Sequence, residues 1–233
     1  MKKEKVTLKK IREVCQKPDF HNCLFRKVSF YISVPILKTN ITPTQITWFW
    51  AILAVVAGFF FYSGDYWWSL AGAIVASIGF MFDHLDGNIA RYKKIFSDKG
   101  YFLDEIGSYL GIPFTIVMIG MGGFQKTGNI MWLYLGILTM YGFVMRELMS
   151  RIIAIKELKG IKQTSSEKKH PTLYKKSNIL NKILPTHYDH FCYFLVILSI
   201  FGLSRWILVY FGIMYNVTWF GKVAYNYLYA FKN

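Results

Sequence analysis

The sequence predicts an all-α, polytopic membrane protein with six transmembrane helices and an N-terminal juxtamembrane amphipathic helix. Three observations predict it. The 233-residue chain is 54% hydrophobic and 18% aromatic, more apolar surface than a soluble domain can expose without aggregating. Its apolar residues fall in long runs, and about six of them approach the roughly 20 residues a spanning helix needs. Lysines and arginines alternate between rich and poor connections, as an even number of spans requires.

The start, "MKKEKVTLKKIREV", is charged and reads as loosely helical. Residues 24–40, "LFRKVSFYISVPILKTN", are too short and too charged to span. Their mixture of basic and aromatic-aliphatic residues suits a helix lying in the headgroup plane. A plain juxtamembrane linker is the alternative. No cleavable leader is expected, because the first apolar stretch ends at Lys38 without a small-residue cleavage site. In "TNITPTQIT", Thr42 can cap a helix, with Pro43 at its first position and Gln45 closing a capping box. That helix end faces the same side as the acidic loop below, so it can help shape a site.

The expected spans are Ile46–Ser63, Tyr66–His84, Tyr101–Met121, Ile130–Ile155, His190–Leu203 and Trp206–Tyr229. The last two meet near "GLSRW", where a re-entrant hairpin is an alternative to two spans. The chain divides into a cytoplasmic and interfacial segment, 1–45, and one six-helix transmembrane domain, 46–233. Ten Lys and Arg precede the first span, four follow the second, and ten lie in the loop after the fourth, counted from Arg146. The intervening turns hold only Lys126 and Arg205, and the C-terminal end holds Lys222 and Lys232. Both termini and the basic loops are therefore expected in the cytoplasm. The net charge of +15 sets this topology and attracts anionic lipid headgroups. Nucleic acid is not an expected partner, since no soluble basic domain is present. Cys15, Cys23 and Cys192 make no metal or redox spacing.

The informative stretch is "DHLDGNIARYKKIFSDKGYFLDEIGS", residues 83–108, with five of the thirteen acidic residues. Asp83 and Asp86 are three apart and share a helix face. Gly87 and Ala90 lie near that face and leave backbone open to a bulky anion. Arg91 adds a planar fork suited to phosphate. Gly100 starts the next helix, with Asp104 and Ser108 at successive turns of one face. Two antiparallel helices joined by a short loop would bring both faces together. Three carboxylates converging near a membrane surface repel one another. Hard divalent cations, Mg²⁺ or Mn²⁺, resolve this. Such ions beside a glycine-lined, arginine-flanked pocket favour in-line displacement at phosphorus. Asp98 and Glu105 read as solvated acids outside the site, paired with nearby lysines.

These residues resemble the signature of the CDP-alcohol phosphatidyltransferase (phosphotransferase) family, D-x2-D-G-x2-A-R-x8-G-x3-D-x3-D. Asp83, Asp86, Gly87, Ala90, Arg91, Gly100 and Asp104 stand at the required spacings. The resemblance implies a six-helix membrane bundle, homodimeric, with a polar cavity open to the cytoplasm, so that 46–233 would be the catalytic domain. It implies a CDP-linked donor such as CDP-diacylglycerol, an alcohol acceptor that attacks the β-phosphorus, and release of CMP, in phospholipid biosynthesis. Asp83, Asp86 and Asp104 would hold the metal, two ions of Mg²⁺ or Mn²⁺. Gly87, Ala90, Arg91 and Gly100 would line the nucleotide-diphosphate site.

The fourth aspartate of the pattern, the usual general base, is Ser108 here. A serine hydroxyl does not take a proton at neutral pH as a carboxylate does, and losing a general base forfeits about 10²–10⁴-fold in rate. Three readings compete: the enzyme works without this base, it binds a CDP-lipid without turnover, or the position has been altered. Glu105 and His84 point off the ligand faces. His187, Asp189 and His190 sit at the start of the fifth span, as an interfacial cluster or a weak metal spacing. Arg146 either pairs with Glu147 or binds an acceptor or lipid phosphate. A transporter is disfavoured, because transport sites lie at the bilayer midplane and these acids lie near one surface.

Overall fold

Helix formation begins where the capping chemistry sets it. In the computed structural model, Thr42 accepts from the Gln45 amide at 3.3 Å, while Gln45 Oε1 accepts from the Thr42 amide at 2.9 Å. Pro43 follows at the first helical position, where it has no hydrogen bond to lose. The structure describes residues 7–15, 24–163, 188–225 and 227–228. Most of the basic loop after the fourth expected span lies outside them, as do His187 and Cys23. Asp189 is described in its backbone only.

The described elements are helices α1 (Leu8–Cys15), α2 (Leu24–Ile36), α3 (Pro43–Phe61), α4 (Tyr66–Lys93), α5 (Asp98–Thr127), α6 (Met131–Gln163), α7 (Tyr188–Ile200) and α8 (Ile207–Tyr225). No strand occurs among the described residues. Each expected span coincides with a helix, and several run further than the apolar pattern. α4 continues from His84 through Arg91 and ends where Lys94 adopts a left-handed conformation, φ 55°. The chain from Asp83 to Arg91 is thus one continuous helix. α5 begins at Asp98, earlier than the glycine expected to start it, because Ser97 Oγ accepts from the Gly100 amide at 3.0 Å.

"GLSRW" separates two helices. Gly202, at φ 69°, closes α7 in a left-handed cap, with its amide and that of Leu203 bonded to Ser199 and Leu198 carbonyls. A short 3₁₀ turn, Ser204–Trp206, leads into α8. By length and composition, four stretches among the described residues are long and apolar enough to cross a membrane: α3, α4, α5 and Ser204–Tyr225. Arg146 and Glu147 interrupt the apolar run of α6, and α7 is a shorter apolar helix. With large side chains such as Trp67 and Phe102 exposed at 76% and 66%, the protein is an integral membrane protein.

The chain forms two compact units, Met1–Thr115 and Ile116–Asn233. In the first, α3 and α4 pack along small residues, and α5 adds a third helix at the seam. A Cβ on Gly72 would lie 2.8 Å from the Phe61 ring, and one on Gly111 would lie 2.5 Å from the Ala54 methyl. Such close approaches are the usual device of membrane helix packing. α2 lays Ile32 and Ile36 against Ile46, Leu85 and Ile89. In the second unit, α6 and α8 are joined by Thr139, which donates to the Leu208 carbonyl at 3.0 Å, and by Asn216, which donates to the Leu138 carbonyl at 3.1 Å.

Candidate active site

The first unit holds a cavity of about 400 Å³ between the start of α3, the end of α4 and the start of α5. Asp86, Gly87, Ala90, Arg91, Gly100 and Asp104 all line it. The α4–α5 connection is only residues 94–97, so the two helix faces fold back upon one another as their spacing requires. Pro43, Thr44 and Thr47 line the same cavity, which places the capped end of α3 at the site.

Asp86 is buried, 8% exposed, and its Oδ2 accepts from Thr47 Oγ1 at 2.6 Å and from Trp50 Nε1 at 3.2 Å. Asp104 lies close enough for its charge to act on Asp86. Asp104 is also within hydrogen-bonding reach of Asp83, and its Oδ1 is buried with no hydrogen-bond partner. Asp83 thus meets the site through Asp104 and is not a lining residue. Two carboxylates in such contact need a proton or a cation between them. Ser108 is half-buried one turn beyond Asp104 and is not a lining residue either.

Arg91 lies back over Gly87, where an added Cβ would be 2.9 Å from its Nη2. Its Nη2 donates to Asn88 Oδ1 at 3.3 Å. Asn88, fully buried, donates in turn to Ser29 Oγ of α2 at 2.9 Å, and its carbonyl accepts from the Cys15 thiol at 3.6 Å. Burial pushes the Cys15 thiol above its ordinary pKa, against the opposing charge of Arg91, so it remains a protonated donor. Asn88 thus links the N-terminal helices to Arg91, which Cys15 of α1 also meets.

The sequence pattern of the CDP-alcohol phosphatidyltransferase family matches residues 40–218, most of the chain. The chain belongs to that family. No curated protein matches it. As a CDP-alcohol phosphatidyltransferase it is a transferase of phosphate-containing groups, which takes a CDP-linked donor and an alcohol acceptor in a membrane.

The family generally depends on divalent metal. The donors of this phosphatidyltransferase fit one in kind: hard carboxylate oxygens, one of them the buried, unpartnered Oδ1 of Asp104. Among the described residues, no three His, Cys, Asp or Glu side chains are drawn together around one point. Asp104 is within hydrogen-bonding reach of Asp83 and acts on Asp86 through its charge.

Sequence reasoning misplaced one acid of the phosphatidyltransferase. Asp98, expected outside the site, lines the cavity beside Ser97 and Tyr101, because α5 starts at Asp98 and turns its N-terminus toward the cavity. Glu105 is not a lining residue, as expected. Thr47 and Trp50 were missed, since nothing in an apolar run marks which residues face an acid. In the second unit, Arg146 is buried and ion-paired with Glu147, its guanidinium 5.1 Å from the centre of the Tyr215 ring. Lys222, 5% exposed, donates to Ser150 Oγ at 2.8 Å, and Ser150 donates to the Arg146 carbonyl at 2.7 Å. The Tyr215 hydroxyl is fully buried with no hydrogen-bond partner.

Proposed function

We propose that this protein transfers a substituted phosphate group from a CDP-linked donor, such as CDP-diacylglycerol, to an alcohol hydroxyl, with release of CMP, as a step of phospholipid biosynthesis. The observation that carries this reading is the convergence of Asp86, Gly87, Ala90, Arg91, Gly100 and Asp104 on one cavity. Arg91 holds the diphosphate with its planar fork, and Gly87 and Ala90 let the phosphates approach the α4 backbone. Asp83, Asp86 and Asp104 would hold two ions of Mg²⁺ or Mn²⁺. Bound there, the ions neutralise the diphosphate and polarise the phosphorus under attack. Arg146, with Lys222 beside it, binds the phosphate of the acceptor or of a lipid.

Ser108, at the position of the usual base, has no carboxylate to take the acceptor's proton. Asp98 supplies the spare carboxylate at the cavity and is the base this reading assigns. The catalytic domain, 46–233, is a homodimer of six-helix bundles. Both termini and the cavity face the cytoplasm, following the lysines and arginines. α2 lies in the headgroup plane, its Leu24, Val28 and Tyr31 exposed.

The second reading is a CDP-lipid-binding protein impaired in turnover, favoured by Ser108 at the position of the usual carboxylate. One experiment separates them: CMP release by purified protein with Mg²⁺ or Mn²⁺, across paired CDP-alcohols and acceptors. Release by the wild type that is lost in Asp86→Asn and in Asp98→Asn supports the first reading. Metal-dependent CDP binding without release, with release gained in Ser108→Asp, supports the second.

A further inference from the structure

Two donors on one helix converge on one oxygen. Thr47 and Trp50 are three apart on α3 and share a face. Both donate to Oδ2 of Asp86, at 2.6 and 3.2 Å. A carboxylate oxygen offers two lone pairs, so Oδ2 is committed to α3. With Oδ2 taken by two donors, Oδ1 is the oxygen that can serve a ligand in the cavity that Asp86 lines, the Gly87 amide also acting on this carboxylate.

Trp50 does more than donate. Its ring is 4% exposed and fills the space over Gly107 of α5, where an added Cβ would come 2.9 Å from Cη2 and 3.1 Å from Cζ2. Gly107 is three residues past Asp104, less than one turn of the same helix. One rigid indole therefore touches α4 through the Asp86 carboxylate and α5 within a turn of Asp104. A tryptophan buried only for its apolar area would satisfy its N–H at any carbonyl. Here the N–H is spent on a buried acid already bound by Thr47.

We infer that Trp50 is a positioning residue for the metal site: it fixes the Asp86 carboxylate and, through Gly107, the separation of Asp86 from Asp104, with Thr47 as its partner. The inference rests on the metal-binding role proposed above for these aspartates. Outer partners of metal-binding carboxylates typically contribute about 10- to 100-fold to metal affinity.

The test is Mn²⁺ titration of the purified full-length protein in detergent, read as loss of the free-ion electron paramagnetic resonance signal. Trp50→Phe removes the N–H and keeps a ring on this face of α3, shorter than the indole whose far edge meets Gly107. Thr47→Val removes the other donor without touching the ring. Each variant is expected to weaken Mn²⁺ binding by about tenfold or more, with a metal-free melting temperature near that of wild type. In turnover, the change appears as a higher Mn²⁺ requirement, and for Trp50→Phe, whose ring does not line the cavity, the donor KM at saturating Mn²⁺ is unchanged. Trp50→Ala, which also empties the space over Gly107, is expected to bind more weakly than Trp50→Phe. Wild-type affinity in Trp50→Phe and Thr47→Val overturns the inference and leaves the proposed function standing. No Mn²⁺ binding by the wild type overturns both.

Discussion

Gly111 of α5 and Ala54 of α3 touch so closely that a methyl added at Gly111 would sit 2.5 Å from the Ala54 methyl. This contact lies on the same side of α5 as Gly107, two turns beyond Asp104, and it sets how near α5 comes to α3. Gly111→Val should therefore lower stability by about 1–3 kcal/mol through overpacking and displace Asp104 from the cavity. The melting temperature should fall and CMP release with it. Ala54→Gly in the same chain should recover part of both, since it clears the methyl that Gly111→Val strikes. Failure of that rescue would show that the two helices do not meet at this pair.

Gly87 separates stability from function. An added Cβ would meet only the mobile end of Arg91, 2.9 Å from Nη2, so the fold has room to give. Alanine is favoured over glycine inside a helix by about 1 kcal/mol. Gly87→Ala should leave the melting temperature unchanged or raise it. Moving the guanidinium should weaken donor binding by roughly tenfold, the worth of one charge-assisted hydrogen bond. The measurement is donor KM beside a thermal melt, and a fall in both stability and affinity would contradict it.

Metal removal should abolish CMP release, and added Mg²⁺ or Mn²⁺ should restore it. The same acids should be a burden without the ion. Asp104 lies close to Asp86 and Asp83, and its Oδ1 is buried without a partner. Asp104→Asn should raise the melting temperature of metal-free protein by about 2–4 °C, while eliminating Mn²⁺ binding. An equal or lower metal-free melting temperature would place the repulsion elsewhere.

Lys94 closes α4 in the left-handed region, the one non-glycine residue to do so among those described. That conformation costs an L-residue roughly 1–2 kcal/mol. Lys94→Gly should stabilise the protein by about that order, seen as a higher melting temperature. Activity should be unchanged, because Lys94 is exposed and does not line the cavity.

Much of the site was legible because it is written locally. The spacing of Asp83, Asp86, Gly87, Ala90 and Arg91 puts them on neighbouring faces of one helix whatever that helix packs against. Asp104 follows Gly100 by one turn for the same reason. The capping box at Thr42 and Gln45 is local too, and the structure has it as read. Asp98 was misjudged because its place depends on where α5 starts. That start is decided by Ser97 reaching the Gly100 amide, a bond the charge pattern does not signal.

The sequence by itself determined that the chain is helical and membrane-embedded, where its helices lie, and that its acids and one arginine match the signature of the phosphatidyltransferase family. The helices follow from composition and from the 3.6-residue period, which fixes the contents of a helix face; the family motif follows from its resemblance to a known signature. Only the tertiary structure decided which faces meet. Trp50 and Asp86 are 36 residues apart, Ser29 and Asn88 are 59, and Ser150 and Lys222 are 72. Helical periodicity places each of these residues on a face of its own helix and says nothing of the partner across the gap. That choice belongs to side-chain packing, where Gly107 admits the indole of Trp50 and so brings its N–H to the acid.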